Sequence, residues 1–262
     1  FPSISGGWVP TQYDWYRNLL PFNNFLKFRA SWGRVGNDRL KDENGNDIRF
    51  PYLTTLGNVS STWGTGLAEN RTGSMNLKWE VSTKTNFGID ARFFDDKVDM
   101  TVDFFHTKTT DIFQRRANIP DEGGLSNVLP YANIGSMKSW GMDGTLAYTH
   151  TFNKDMALTV RGNFTHAENE VIYWEQSGVN YPYQSNSGVP YKVQRGLIAL
   201  GLFKDEDDIK SSPKQTFMDN YRPGDIKYKD VNGDGKIDKD DVVPLNYSAV
   251  PFIQYGFALD WN

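Results

Sequence analysis

From residue 85 the chain alternates. Phe87, Ile89, Ala91 and Phe93 are apolar, and Asn86, Gly88, Asp90 and Arg92 between them are small or polar. A period of two predicts a strand with one oily face. After Phe94-Asp95-Asp96-Lys97 the alternation resumes, with Val98, Met100, Val102 and Phe104 set against Asp99, Thr101 and Asp103, so the two runs form a hairpin. Pairing Phe93 with Val98 places Ala91 opposite Met100, Ile89 opposite Val102 and Phe87 opposite Phe104, which brings every apolar residue to one face. The same register sets Arg92 opposite Asp99, an attractive cross-strand pair.

A second hairpin follows the same pattern. Trp140, Met142, Leu146 and Tyr148 descend to a turn near Asn153-Lys154-Asp155, and Met156, Leu158, Val160 and Phe164 return. Pairing Phe152 with Met156 sets Gly144 opposite Phe164 and Leu146 opposite Gly162, so that a large side chain covers each glycine. His106, His150 and His166 share the parity of the oily face. In this register His150 faces Leu158 and His166 faces Met142, so the histidines read as amphipathic rings near a membrane boundary and not as a metal site. Further strands fit residues 1–8, 26–33 (Leu26, Phe28, Ala30 and Trp32 on one face) and 252–261.

The connections divide into two kinds. Turns within the hairpins are tight, whereas residues 115–133 and 175–249 are long and polar, and short turns at one end with long loops at the other is the plan of an outer-membrane barrel. If the tight turns are periplasmic, the strand from Met156 runs outward and residues 175–249 form an extracellular loop. Seven strands are an odd, open set that cannot close on itself, so the expected fold is all-β: an antiparallel transmembrane β-barrel segment, part of a larger barrel.

Composition sharpens this picture. Aromatic residues make up 15% of the 262, while the hydrophobic fraction is only 38% and the mean hydropathy is -0.58. A barrel wall that alternates apolar and polar residues averages out in this way, although a soluble all-β protein with large surface loops also fits these figures. No run approaches the roughly 18 apolar residues that a membrane-spanning helix needs. The net charge of -4 is scattered, which gives no basic face for nucleic acid. Cysteine is absent, so disulfides, thiolate metal sites and cysteine nucleophiles are excluded together.

One motif carries chemistry. Residues 230–241 read DVNGDGKIDKDD, which places oxygen ligands at loop positions 1, 3, 5, 9 and 12 and glycine at 6, the spacing of a calcium loop. Asp230, Asn232, Asp234 and Asp238 are the side-chain candidates for Ca²⁺ or Mg²⁺, Lys236 offers its backbone carbonyl, and Asp241 stands where a longer Glu is usual. The alternative is a solvated Asp/Asn/Gly turn. Among loop aromatics, Trp63, Trp174, Tyr181 and Tyr183 are candidates to stack on a sugar ring, or else belong to the interfacial girdle. Acidic neighbours such as Asp207-Asp208 give no geometry for hydrolysis, and no nucleophile–base arrangement or phosphate-cradling loop is present, so the chain does not read as an enzyme.

Several landmarks occur in an order that resembles the SusC/RagA family of TonB-dependent outer-membrane transporters. They are FPSISGGW at 1–8, LKFRASWGRVGND at 26–38, LKWE at 77–80, TNFGIDARFFDDKVDMTVDFFHTKTTDIF at 85–113, NIGSMKSWGMDGTLAY at 133–148 and GDIKYKDVNGDGKID at 224–238. The resemblance implies a barrel of about 22 strands plugged from inside. It also implies import of bulky nutrients, oligosaccharides or peptides, across the bacterial outer membrane, with a SusD-like lipoprotein as lid and the TonB complex engaged through an N-terminal region that this segment lacks. Residues 1–262 are then one piece of the barrel domain, in contact with outer-membrane lipid. The rival expectation is a soluble or cell-surface β-rich carbohydrate-binding module whose calcium loop is structural.

Overall fold

The computed structural model of the chain describes residues 1–41, 45–62, 64–119, 128–154 and 156–261. Trp63 and Asp155, named above, lie outside the described residues.

Seven strands hydrogen-bond side by side into one antiparallel sheet whose spatial order repeats the chain order. They are β1 (Ser3–Trp8), β2 (Asn23–Asn37), β3 (Glu80–Phe93), β4 (Val98–Arg115), β5 (Tyr131–Asn153), β6 (Met156–Tyr173) and β7 (Ile253–Trp261). The register of the first hairpin is the one that alternation requires, with Phe93 opposite Val98, Ile89 opposite Val102 and Phe87 opposite Phe104. A one-residue slip would move every apolar side chain to the charged face, so the pattern leaves one solution. The middle strands run further than the alternation predicted: β5 spans 23 residues.

Rows across the sheet state the result most plainly. Trp8, Phe28, Ile89, Val102, Gly144, Phe164 and Tyr255 form one row across all seven strands. The adjacent row, on the opposite face, holds Gly7, Arg29, Gly88, Asp103, Asp143, Thr165 and Gln254. Phe87, Ile89, Val98, Met100, Leu146, Leu158 and Val160 therefore share one face, and Asp90, Arg92, Asp99 and Asp103 the other. The apolar face is not covered: Leu146 is 53% exposed and Phe257 82%. An uncovered apolar face of this extent has no place on a soluble sandwich, and it is the face that a barrel gives to lipid.

Aromatic residues bracket that face. Four residues from the central row, Trp32 and Trp140 lie on one side and Tyr148 on the other, with Trp261 two residues further. Eight residues along a strand tilted by about 40° rise roughly 21 Å, close to the ~25 Å apolar band of such walls.

Three details differ from expectation. Met156 pairs with Asn153, not Phe152, because a bulge intervenes between Thr151 and Asn153; beyond it Gly144 and Phe164 pair as predicted. The large neighbour does not cover Gly162, where an added Cβ would meet only the Gly256 carbonyl, 3.9 Å away, and Val102 lies against Gly144. Arg92 stands opposite Asp99, but its ion pair is with Asp96 at 3.6 Å, while its guanidinium rests 4.8 Å from the Phe25 ring. The turn makes Asp96 available. Phe94, Asp95 and Asp96 all have φ near +60°, a left-handed path that curls the turn back toward β3.

The two ends of the sheet differ. At one end lie the turn 94–97, the short link between Asn153 and Met156, and the connection 9–22, which carries a 3-10 turn (Pro10–Gln12) and a short helix (Asp14–Leu19). At the other, the connections 38–79, 116–130 and 174–252 are all long. The first contains a hairpin of its own, Thr55–Ser61 with Gly64–Arg71. The chain divides into two compact units, Phe1–Glu175 with Pro251–Asn262, and Gln176–Val250. The second unit is held by three two-stranded pieces: Ala199–Leu202 with Ile226–Tyr228, Lys214–Gln215 with Lys236–Ile237, and Val193–Gly196 with Val243–Ser248. Phe203, Ile237 and Val243 are its buried apolar residues.

Candidate functional site

Within the second unit, the motif 230–241 folds into a loop closed by its own backbone. Gly233 and Gly235 adopt φ of 78° and 82°, a conformation that L side chains resist, and this explains glycine at both places. The side chains of Asp230, Asn232, Asp234 and Asp238 turn back on nearby N–H groups. The Gly233 and Gly235 amides donate to Asp230 at 2.6 and 2.8 Å, Asp234 N–H to Asn232 Oδ1 at 3.0 Å, and Lys236 N–H to Asp234 Oδ1 at 2.9 Å. Asp240 N–H donates to Asp238 Oδ1 at 2.8 Å.

Asp241 differs from the rest. It is fully buried, and its carboxylate accepts from the amides of Val231, Asn232 and Asp238, so it ties the start of the loop to its end. Ile237 is likewise buried and pairs with Gln215 in a short parallel ladder. The loop is thus anchored from within at its eighth and twelfth positions, while Asp234 and Lys236 stay exposed at its tip. The donor set is all hard oxygen, which suits Ca²⁺ or Mg²⁺. Among the described residues, no three His, Cys, Asp or Glu side chains converge as a metal-holding group.

Tyr181 and Tyr183 stack on each other, with ring centroids 5.3 Å apart and planes 7° from parallel. Both hydroxyls reach the motif loop: Asn232 Nδ2 donates to Tyr181 Oη at 3.3 Å, and Tyr183 Oη donates to the Asp240 carbonyl at 2.6 Å. Burial raises the Tyr183 hydroxyl above its ordinary value, and Tyr181, Asp241, Asp240 and Asp230 add to the effect, so it stays a proton donor. Gln184 extends the same contact, its Nε2 lying 3.3 Å from Asp240 Oδ1. Trp174 belongs to the first unit, half-buried just after β6. The sequence placed the tyrosines and the acidic motif in one long loop, yet nothing in their spacing of about fifty residues announced the contact.

In the first unit, the charged face of the sheet carries a network that sequence reading missed. Arg29 on β2 donates from Nε and Nη2 to Asp90 at 2.8 and 2.9 Å, and from Nη2 to Asp103 at 2.9 Å. The guanidinium crosses β3 above Gly88, where a Cβ would fall 2.5 Å from Asp103 Oδ1 and 2.6 Å from Arg29 Cζ. Any side chain at 88 would push the network off the wall. A cleft of about 430 Å³ opens beside it, lined by Ser5, Gly7, Lys27, Arg29, Ser31 and Asn86. The signal was in the alternation, since Arg29 falls between Phe28 and Ala30, but only the register across three strands brings its partners together.

At the long-connection end of the same unit, Glu175 is nearly buried and holds Arg116. The Nε–Oε2 distance is 2.8 Å, and the Ala117 amide donates to the same oxygen at 2.9 Å. Burial alone would raise this carboxyl, but Arg116 and the backbone amides outweigh it and hold it below the ordinary glutamate range. The three histidines keep the parity of the apolar face; His150 lies opposite Leu158 and His166 opposite Met142.

Residues 1–259 match the family model described as TonB dependent receptor-like, beta-barrel. The chain is 28% identical to TonB-dependent receptor P26 of Formosa agariphila over 98% of its own length and 26% of that protein. It is 24% identical to TonB-dependent receptor SusC of Bacteroides thetaiotaomicron over 92% of its length and 24% of that protein. Its fold is similar to a structure of the RagAB peptide importer in the open-open state, with a TM-score of 0.70 at 20% identity, covering 99% of this chain and 27% of that one. The chain thus spans about a quarter of the length of the curated relatives it matches. A seven-stranded antiparallel wall, oily on one face and charged on the other and matched to the family model along nearly its whole length, is a segment of an outer-membrane barrel, and the chain belongs to the TonB-dependent receptor-like β-barrel family.

Proposed function

We propose that the protein of which this chain forms part imports bulky nutrients, oligosaccharides or peptides, through a TonB-driven outer-membrane barrel, together with a SusD-like lipoprotein lid. The observation that carries this reading is the family match along residues 1–259, joined to a wall whose two faces have opposite chemistry. The chain has the role of a wall and a rim, not of an enzyme. The name of one neighbour, a peptide importer, supports the peptide reading, and the names of the relatives support the TonB-dependent one. Deleting the full-length gene should abolish uptake of a fluorescent oligosaccharide or peptide, and so should deleting the TonB partner. Unchanged uptake of both probe classes would overturn the assignment.

Residues 176–250 lie outside the cell in this reading, because they leave the wall at the end that carries the long connections. Protease or antibody access to this unit on intact cells tests that placement directly. Within it, Ca²⁺ or Mg²⁺ is held by Asp230, Asn232, Asp234 and Asp238 and the Lys236 carbonyl, with Asp241 closing the shell directly or through a water. What supports this is the all-oxygen donor set on a loop already shaped by Gly233 and Gly235. The ion neutralises carboxylates crowded into twelve residues and so stiffens a loop near the substrate entrance. Tyr181 and Tyr183, and separately Trp174, are the aromatic candidates to stack on a sugar ring. The tyrosines also brace the motif loop, which ties any contact they make to its order.

A further inference from the structure

We propose that the wall carries a binding site for the phosphate groups of an outer-leaflet glycolipid, formed by Arg34, Lys108 and Lys138 on its lipid-facing side. The strand register places these residues in one row, Arg34–Thr83–Lys108–Lys138–Glu170. Six residues separate this row from the central apolar row, a rise of about 15 Å along the membrane normal for strands tilted by ~40°. Half of a ~25 Å band is less than that, so the row stands just beyond the hydrocarbon, at headgroup depth. Trp32 and Trp140 lie directly beneath it, with the Arg34 guanidinium 6.0 Å from the first ring and the Lys138 ammonium 5.3 Å from the second.

Two features point to an anion. Lys108 and Lys138 are direct cross-strand partners, and like charges in that position repel unless something negative lies between or above them. The charges facing the row do not supply enough: Glu170 pairs with Lys138 at 2.9 Å, and Glu168 is engaged by His166 at 3.3 Å. Among the described residues, neither Arg34 nor Lys108 makes an ion pair, and both are exposed. The equivalent row at the tight-turn end holds His150, Leu158 and Trp261 instead, so the cationic belt is on one side of the membrane only. The long connections mark that side as external, which rests on the orientation proposed above. The headgroup chemistry that fits three outward cations above a tryptophan row is the phosphorylated sugar of lipid A, with its acyl chains lying along Phe87, Phe104 and Met142. The apolar rows below keep those chains in place, and the cations fix the headgroup.

The test uses the full-length transporter purified in mild detergent, with native mass spectrometry counting bound lipid as bisphosphorylated lipid A is titrated in. Arg34→Gln/Lys108→Gln/Lys138→Gln should weaken binding at least about tenfold, since each near-surface cation contributes measurably to anionic lipid binding. Dephosphorylated lipid A should bind the unaltered protein as weakly as bisphosphorylated lipid A binds the triple variant. Lys108→Gln alone, which disturbs no ion pair, should give part of the loss. Lys84→Gln, on the opposite face of β3 next to the same row, should give none. Heat-modifiable electrophoresis confirms that each variant is folded. Equal binding of the phosphorylated and dephosphorylated lipids overturns the proposal, as does displacement by inorganic phosphate, which would mark a free-anion site. Protease access to residues 176–250 is read separately, so an error of orientation is distinguishable from the absence of a lipid site.

Discussion

Glycines in this wall do different work according to the face they occupy. At Gly141 an added Cβ would fall 2.1 Å from the His166 carbonyl oxygen and 2.9 Å from the Phe105 ring, and backbone cannot yield cheaply. At Gly162 the corresponding space is open. We expect Gly141→Ala to destabilise the folded transporter by about 1–3 kcal/mol, the usual cost of overpacking, and Gly162→Ala to leave it unchanged, both read from the temperature at which the heat-modifiable band is lost. Equal effects would mean that β5 and β6 do not approach as described. The Arg116–Glu175 pair makes a second prediction at this scale. Because the folded-state carboxyl is held below its ordinary value, its stabilising contribution is complete above the ordinary glutamate range and is lost as pH falls through the lowered value. The Ala117 amide, which donates to Glu175, should therefore be protected from hydrogen exchange at neutral pH and lose protection in acid. Glu175→Gln should be less protected at neutral pH and show no acid step.

For the elements, the most consequential contact is the one between the stacked tyrosines and the motif loop. Tyr183→Phe removes the donor to the Asp240 carbonyl and keeps the stack. Loss of one such bond costs about 0.5–1.5 kcal/mol, so calorimetric titration of Ca²⁺ into the full-length variant should show a roughly twofold to tenfold weaker site. Asp230→Ala with Asp234→Ala should abolish the heat of binding altogether. If the double variant and the unaltered protein behave alike, the loop is a solvated turn. The hairpins were legible from alternation because period and face are local properties of a strand. The bulge before Asn153 was not, since Phe152 is apolar and fits the pattern whether it pairs or loops out. Arg92 was placed correctly opposite Asp99, but its choice of Asp96 follows from three left-handed residues in the turn, which carry no glycine to announce them.

On the scale of the whole molecule, the sheet ends in two edge strands, β1 and β7, each paired on one side only among the described residues, and leaves one apolar face uncovered. Residues 1–262 expressed alone should aggregate in water and be recovered only with detergent, because open edges and an oily face both seek partners. A soluble, monomeric protein with a cooperative melt would contradict the lipid-facing assignment of Leu146, Phe257 and their row. The unit Gln176–Val250 buries Phe203, Ile237 and Val243 and carries three two-stranded pieces of its own, which lets a polar loop of this length hold structure.

Strand parity, hairpin register, the split between an oily and a charged face, and the spacing of oxygen ligands in residues 230–241 were determined by sequence alone, because each depends on residues close in the chain or joined through one tight turn. The order of the seven strands, the Arg29–Asp90–Asp103 network over Gly88, the bracing of the motif loop by Tyr181 and Tyr183, and the cationic row of Arg34, Lys108 and Lys138 were decided only by tertiary structure. Those groups lie tens of residues apart in the chain, and alternation fixes which face a residue takes but not which residues stand level with it on other strands. Levels are set by hydrogen-bonded registers accumulated across the sheet, and it is at those levels that charge meets charge, or meets the membrane surface.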